Sequence, residues 1–317
     1  MILITIIISL VSVAAVFILA IILFGYWASK QPAVKNGYFN NINSKMPIES
    51  KYSNKGDYHV SYFEQQSKDD AIKKFEIWYP SELSMNKPSI KKFPLVIMVN
   101  GSGIIASKYK PIFDHLASWG FIVVGNEDER SGSGDSSSAS LEFMLTLNST
   151  KDSQFYDKID LYNIGIAGHS QGGLGSINAV TLHDNGDIYK AIYTASAPSY
   201  EIAKEVLNIP YDLSDLGIPY FQTAGTLRFD AGIDENSGIS PLSSMVEKYK
   251  SISDEVPKVL ARRLNADHAD MLTNGDGYMT AWFMYWLQDD LDAKRAFFGK
   301  NAEILYNPNW TNIGKNI

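Results

Sequence analysis

Cysteine is absent from the chain, which has 317 residues. A protein without cysteine has no disulfide framework, no thiol nucleophile and no thiolate metal site. Positive charge is also in short supply, because 28 Lys and Arg residues stand against 35 Asp and Glu residues and leave a formal net charge of -7. An acidic balance of this kind argues against a general nucleic-acid binder.

The remaining composition is that of a packed globular body. Hydrophobic residues make up 45% of the chain, aromatic residues 12% and charged residues 20%. This content supplies enough apolar surface for an interior and argues against extensive disorder. Because α/β sheet proteins of this length commonly remain one domain, we expect one large core.

Charged side chains are missing from the start of the chain, where the first one is Lys30. The only polar interruptions in residues 2–27 are Thr5, Ser9 and Ser12, and as a helix these 26 residues would span about 39 Å. A hydrocarbon core is about 30 Å thick, so we predict an uncleaved single-pass membrane anchor over residues 1–29. A cleaved signal peptide and a buried core helix are the alternatives.

Residues 30–57 are rich in Asn, Lys, Ser and Gly and are predicted to be a tether between the anchor and a catalytic domain at 58–317. Five lysines against two acidic residues in this segment favour a cytoplasmic position for the downstream side. The lack of cysteine weakly favours the opposite side, although exported proteins can also lack it, and a long following domain can override the charges of the loop. The side of the membrane on which the body lies is therefore left open.

The body alternates short apolar runs with segments of helical periodicity, which is typical of a mostly parallel sheet flanked by helices. Strands are predicted at 74–79, 95–99, 121–124, 164–167, 191–195, 218–224 and 256–264, and helices at 109–116, 171–182 and 277–290. The Gly/Ser-rich residues 131–138 lack the third glycine of a dinucleotide fingerprint and the lysine of a P-loop, so we expect a flexible connection there. Residues after 298 contain no interpretable motif.

The sequence Gly-His-Ser-Gln-Gly at 168–172 follows a predicted strand and opens a predicted helix. In this context the pentapeptide predicts a nucleophile elbow, a sharp turn that presents the hydroxyl of Ser170 above the sheet. An ordinary glycine-rich turn is the alternative. Because serine at its normal pKa is a poor nucleophile, the hypothesis requires a base and an acid farther along the chain.

The candidates for that base are the five histidines of the chain. His59 and His115 precede the serine, and His169 is its immediate neighbour and should point elsewhere. His183 is 13 positions downstream, nearly 20 Å along the predicted helix at about 1.5 Å per residue. Only His268 remains, between the last predicted strand and the last predicted helix, where the base is required.

The sequence around His268 is Asp-His-x-Asp, which also allows a surface loop or a metal site. With five histidines, no cysteine and no His-Glu-x-x-His spacing, we expect no metal. The acid should follow the strand that ends near residue 224. Asp230 is the first choice there because it is nearest to that strand, with Asp234 next and Glu235 third. It would fix the tautomer of His268 and stabilise the imidazolium.

An oxyanion hole needs two main-chain amides aimed at the acyl oxygen. Gln171 supplies one because it follows the nucleophile. The sequence Asn-Gly-Ser-Gly at 100–103, directly after a predicted strand, offers the second, with Ser102 as the predicted donor and Gly103 as the alternative. A plain turn at the end of a strand is the other interpretation of this segment.

Together these motifs resemble the α/β-hydrolase superfamily over roughly residues 93–292. Their order is similar to that of the cutinase and dienelactone-hydrolase-like branch, which includes polyester hydrolases. The resemblance implies ester hydrolysis through an acyl-enzyme without a cofactor. Where polyester hydrolases carry an aromatic oxyanion residue this chain has Ser102, and where they carry a tryptophan clamp it has Ala-Pro-Ser-Tyr at 197–200.

The segment between Ala195 and Ile218 has 22 residues, too few for the large helical cap of many members of the superfamily. We therefore expect an open cleft that accepts a small-molecule, lipid-borne or polymeric ester. The sequence predicts a membrane-anchored serine esterase with a Ser170, Asp230 and His268 triad, no cofactor and no nucleic-acid partner. Acyltransferase, peptidase and inactive tethered binding module remain alternatives.

Overall fold

The computed structural model of the protein describes residues 31–84, 91–234 and 237–317. The predicted membrane anchor at residues 1–29 lies outside these ranges. Within them, no helix combines the length and the apolar character that crossing a bilayer requires. From Val34 onward the described residues belong to one unit that ends at Ile317.

The core is a mixed sheet, with nine strands in the described part of the chain. These are β1 (Val60–Gln66), β2 (Lys74–Pro80), β3 (Phe93–Val99), β4 (Ile122–Asn126), β5 (Ile159–His169), β6 (Ala191–Ala195), β7 (Tyr220–Gly225), β8 (Lys258–Arg263) and β9 (Trp310–Lys315). Their order is β1-β2-β4-β3-β5-β6-β7-β8-β9. The six strands from β4 to β8 in this order are parallel, and antiparallel pairing joins β1, β2 and β9 to them. The prediction of a mostly parallel α/β sheet is confirmed.

Helices cover both faces of this sheet. They are α1 (Pro47–Ser53), α2 (Lys110–Ser118), α3 (Asp135–Ser149), α4 (Gln171–Thr181), α5 (Arg228–Ala231), α6 (Leu242–Ser251), α7 (Met271–Asn274), α8 (Asp276–Gln288) and α9 (Leu291–Lys294). Alternate residues of β3 divide between the faces: Ile97 packs in the cluster that includes α3 and α4, whereas Met98 faces α2 and α8. This burial on both faces explains why the strand is a continuous apolar run.

The segment predicted to be a tether is folded against the body from Val34 onward. Helix α1 packs on α8, and its Glu49 is 1% exposed. The Glu49 carboxylate accepts hydrogen bonds from Arg263 Nη1 at 2.9 Å, Asn307 Nδ2 at 2.8 Å and Trp310 Nε1 at 2.7 Å. Because a buried carboxylate needs such partners, this helix and the last strand stabilise each other. The described residues of the predicted tether from 34 to 57 are thus part of the folded unit.

The Gly/Ser-rich residues 131–138 are not the flexible connection that we expected. They form a 3-10 turn at Ser131–Ser133 and the first turn of α3. Gly134 has φ 90°, and a Cβ there would lie 2.6 Å from the main-chain nitrogen of Ala179 in α4. Close packing against α4 therefore orders the segment and requires a glycine at this position.

Candidate active site

Ser170 lies at the junction of β5 and α4, as the elbow hypothesis predicts. Its φ of 57° and ψ of -128° are strained for a residue with a side chain. A Cβ on Gly168 would lie 2.0 Å from the carbonyl oxygen of Gly172, and a Cβ on Gly172 would lie 2.2 Å from that of Val99. The two glycines permit the close backbone approach that the sharp turn requires. The amide of Ser170 also donates to the carbonyl of Ala195 at 2.9 Å, which joins the elbow to β6.

Asp230 lies in α5, the short helix after β7, and its side chain is fully buried. Its Oδ1 accepts a hydrogen bond from His268 Nδ1 at 2.7 Å. Its Oδ2 accepts from Ser196 Oγ at 2.5 Å and from the amide of Gly225 at 2.6 Å. Burial acts to raise the pKa of this carboxyl. The hydrogen bond and the charge of His268, together with the hydrogen bonds from Ser196 and Gly225, outweigh burial and lower the pKa overall. Asp230 is therefore held as a carboxylate.

His268 begins the 3-10 turn after β8 and is partly accessible, with 18% of its side chain exposed. Its position depends on Asp267, whose Oδ1 accepts from the amides of His268 at 2.9 Å, Phe229 at 2.8 Å and Asp230 at 3.2 Å. One carboxylate thus connects the loop of the predicted base to the loop of the predicted acid. Sequence reasoning did not assign this function to Asp267.

His169 connects the elbow to the same loop. Its Nε2 lies 2.7 Å from the carbonyl oxygen of His268, and the two imidazole rings are 4.6 Å apart between centroids. Burial, reinforced by the nearby His268, lowers the pKa of His169 to about 4. The ring is therefore neutral at physiological pH, and Nε2 carries the proton that it donates to this carbonyl. His268 is in this way attached to the residue that precedes Ser170.

The hydroxyl of Ser170 makes no hydrogen bond to His268 within the described residues. Hydrogen bonds between a catalytic serine and its base are often long before substrate binds and shorten in the complex. The structure thus brings Asp230 and His268 into direct contact and brings Ser170 to the same edge of the sheet through its neighbour His169.

Asp234 and Glu235 are the alternatives to Asp230 as the acid of the triad. Asp234 is exposed, and its Oδ1 accepts from the amide of Ser237 at 2.9 Å. Glu235 lies outside the described residues. Of the two described candidates, Asp230 is the one that is hydrogen-bonded to His268.

The amides considered for an oxyanion hole differ in their partners. Gly103 donates its N–H to the carbonyl of Glu129 at 3.0 Å, and Gly101 donates to Tyr109 Oη at 3.0 Å. The amide of Ser102, between them, makes no hydrogen bond within the described part of the chain. Gln171 is the first residue of α4, where main-chain amides have no partner inside the helix. Ser102 and Gln171 therefore retain free donors, whereas the alternative Gly103 does not.

Three large side chains near the candidate site in sequence are exposed. Phe229 and Ile233, on the loop of Asp230, are 68% and 79% exposed, and Tyr200 after β6 is 44% exposed. Between β6 and β7 the chain forms one short π-helix, Ile202–Val206. In the described ranges no group of three or more His, Asp or Glu side chains is placed to hold a metal ion.

The model of a family described as PETase, PET hydrolase-like, matches residues 47–304. The match begins at the first residue of α1 and therefore includes the helix that had been expected to belong to a tether. A search of curated proteins finds no match to the chain.

Proposed function

Because the chain belongs to the PET hydrolase-like family and is a carboxylic ester hydrolase, we propose that it cleaves esters through a serine acyl-enzyme with a triad of Ser170, His268 and Asp230. Family membership agrees with the resemblance to polyester hydrolases of the α/β-hydrolase superfamily. The observation that carries the proposed triad is the hydrogen bond of 2.7 Å between His268 Nδ1 and the buried Asp230. It leaves Nε2 of His268 unprotonated and able to act as a base.

In the proposed first step, Ser170 Oγ attacks the ester carbonyl while His268 Nε2 takes its proton. Asp230 stabilises the imidazolium that forms and stays ionised. The amides of Ser102 and Gln171 donate to the oxyanion of the tetrahedral intermediate. The C–O bond to the alcohol then breaks, and the alcohol leaves with the proton of His268. An acyl group remains on Ser170.

Water completes the cycle. His268 removes a proton from water, the resulting hydroxide attacks the acyl carbonyl, and collapse of the second intermediate returns the proton to Ser170 and releases the carboxylic acid. The exposed side chains of Phe229, Ile233 and Tyr200, on the segments that carry or adjoin Asp230 and Ser196, support an ester with an apolar acyl or aryl group, whether small, lipid-borne or polymeric. Residues 2–27 are proposed to anchor the enzyme in a membrane and to bring such esters near the cleft.

The test is Ser170→Ala, compared with Ser149→Ala at the exposed end of α3. We expect Ser170→Ala to lose labelling by a fluorophosphonate and to lower the turnover of p-nitrophenyl esters by at least about 10⁴-fold, with an unchanged circular dichroism spectrum. Ser149→Ala should behave as the wild type. Labelling of folded Ser170→Ala at the wild-type rate would refute the triad. Extraction of the full chain from membranes by carbonate, without detergent, would refute the anchor.

A further inference from the structure

Lys248 is a buried lysine close to the candidate active site. It lies in α6 and is 4% exposed. Its Nζ donates hydrogen bonds to the main-chain carbonyls of Ala197 at 2.7 Å and Pro198 at 3.2 Å. Lysine is rarely buried unless its ammonium group has partners. Here those partners are neutral carbonyls of the segment that follows β6.

The same segment is hydrogen-bonded to Asp230, the predicted acid of the triad. Ser196, its first residue, has φ 50°, a left-handed conformation that is unfavourable for a residue with a side chain. The hydroxyl of Ser196 donates to Asp230 Oδ2 at 2.5 Å. A strained backbone persists only where surrounding contacts hold it. The hydrogen bonds from Lys248 to the carbonyls of Ala197 and Pro198, the two residues after Ser196, supply such contacts.

The charge of Lys248 also acts on this site. Burial lowers the pKa of its ammonium group to about 7, against the opposing attraction of Asp230 in α5, Glu201 after β6 and Glu247 in α6 itself. Tyr211, which lines a cavity together with Lys248, stays neutral because burial raises the pKa of its phenol. Lys248 therefore carries its positive charge below about pH 7 and loses it as the pH rises further.

We propose that Lys248 is a positioning residue for the triad acid: it holds the segment 196–198 so that Ser196 stays bonded to Asp230, and its ammonium form stabilises the Asp230 carboxylate. This inference rests on the proposed function of Asp230. It assigns to α6 a part in the reaction although no residue of that helix is proposed to touch the substrate.

Lys258 provides a matched control. It lies in β8, is 1% exposed, and its Nζ donates to the carbonyl of Ile252 at 2.6 Å and to Asp254 Oδ1 at 2.8 Å. Like Lys248 it is a buried lysine bound to a main-chain carbonyl, but in the described part of the chain neither of its partners is hydrogen-bonded to Ser196 or to a residue of the proposed triad. Replacing it measures the general cost of removing a buried lysine.

The experiment compares Lys248→Met, Lys248→Arg and Lys258→Met with the wild type in the full chain. kcat/KM for a p-nitrophenyl ester is measured from pH 5.5 to 9, and folding is followed by circular dichroism. We expect Lys248→Met to lower kcat/KM by roughly 10- to 100-fold at pH 6, as misplacement of a catalytic group does. The ratio of wild type to Lys248→Met should fall as the pH rises through about 7, because the wild type then loses the charge.

Lys248→Arg keeps its charge throughout this range, so its activity relative to the wild type should rise as the pH passes about 7. A Lys248→Met variant that matches Lys258→Met at every pH would overturn the inference, as would a constant ratio for Lys248→Arg. The Arg variant keeps the inference testable if Lys248→Met does not fold. Retention of activity by Ser170→Ala would instead overturn the proposed function, so the two failures are distinguishable.

Discussion

Replacement of Asp230 by asparagine should move the proton of the neutral His268 ring from Nδ1 to Nε2. In the wild type, Oδ2 accepts two hydrogen bonds, from Ser196 at 2.5 Å and Gly225 at 2.6 Å, while Oδ1 accepts one from His268 Nδ1 at 2.7 Å. Asparagine has one amide oxygen, and only at the Oδ2 position can it satisfy both donors. Its NH₂ group must then occupy the Oδ1 position and donate to Nδ1 of His268.

The consequence is a histidine with the wrong tautomer. Nδ1 becomes an acceptor, so the proton of the neutral ring moves to Nε2, which can no longer accept the proton of Ser170. We expect kcat to fall by about 10⁴-fold, the magnitude that loss of the correct tautomer has in a serine hydrolase triad. Since the amide keeps all three neighbours hydrogen-bonded, the free energy of unfolding should change by no more than about 2 kcal/mol.

The assay is the initial rate of p-nitrophenyl ester hydrolysis at pH 7 to 8, with urea unfolding to monitor stability. Asp234→Asn, at the exposed carboxylate of the same loop, is the matched control and should retain wild-type kcat. A loss smaller than tenfold in folded Asp230→Asn would refute the tautomer argument. A large loss of kcat in Asp234→Asn, together with an active Asp230→Asn, would identify Asp234 as the acid of the triad.

Two further predictions concern the contacts that hold the site and the fold. His169→Phe removes the N–H that binds the carbonyl of His268, so the rate of fluorophosphonate labelling should fall about tenfold with unchanged circular dichroism; wild-type labelling would contradict it. Glu49→Gln removes the charge that faces buried Arg263 and should lower the free energy of unfolding in urea by about 3 to 5 kcal/mol. Asp292→Asn, at an exposed ion pair, should cost no more than about 1 kcal/mol, and an equal loss in both variants would refute the importance of the buried pair.

The central part of the fold was predictable because its determinants are local. The parallel strands are buried on both faces, so each is a short apolar run that the sequence displays directly. The elbow requires glycine at 168 and 172 because neighbouring backbone would collide with any Cβ. Both glycines lie within five consecutive residues, so the local sequence alone indicates the elbow. Elimination led to His268 because the chain has only five histidines.

The edges of the fold were not predictable in this way. Strand β9 is only partly buried, and its sequence, Trp-Thr-Asn-Ile-Gly-Lys, does not alternate clearly between apolar and polar residues. Helix α1 depends on the contact of Glu49 with Arg263, which is 214 residues away along the chain. Neither element has an apolar pattern strong enough to indicate its place, because each is defined by a partner distant in sequence.

The supports of the candidate site were missed for a related reason, namely that each of them acts on main-chain atoms. His169 donates to the carbonyl of His268, Lys248 to the carbonyl of Ala197, and Asp267 accepts from the amide of Asp230. Every residue other than proline offers the same two main-chain groups, so such a contact places no requirement on the partner's side chain. A pairwise pattern between side chains therefore does not arise, and only the fold reveals that these residues hold the three loops of the site together.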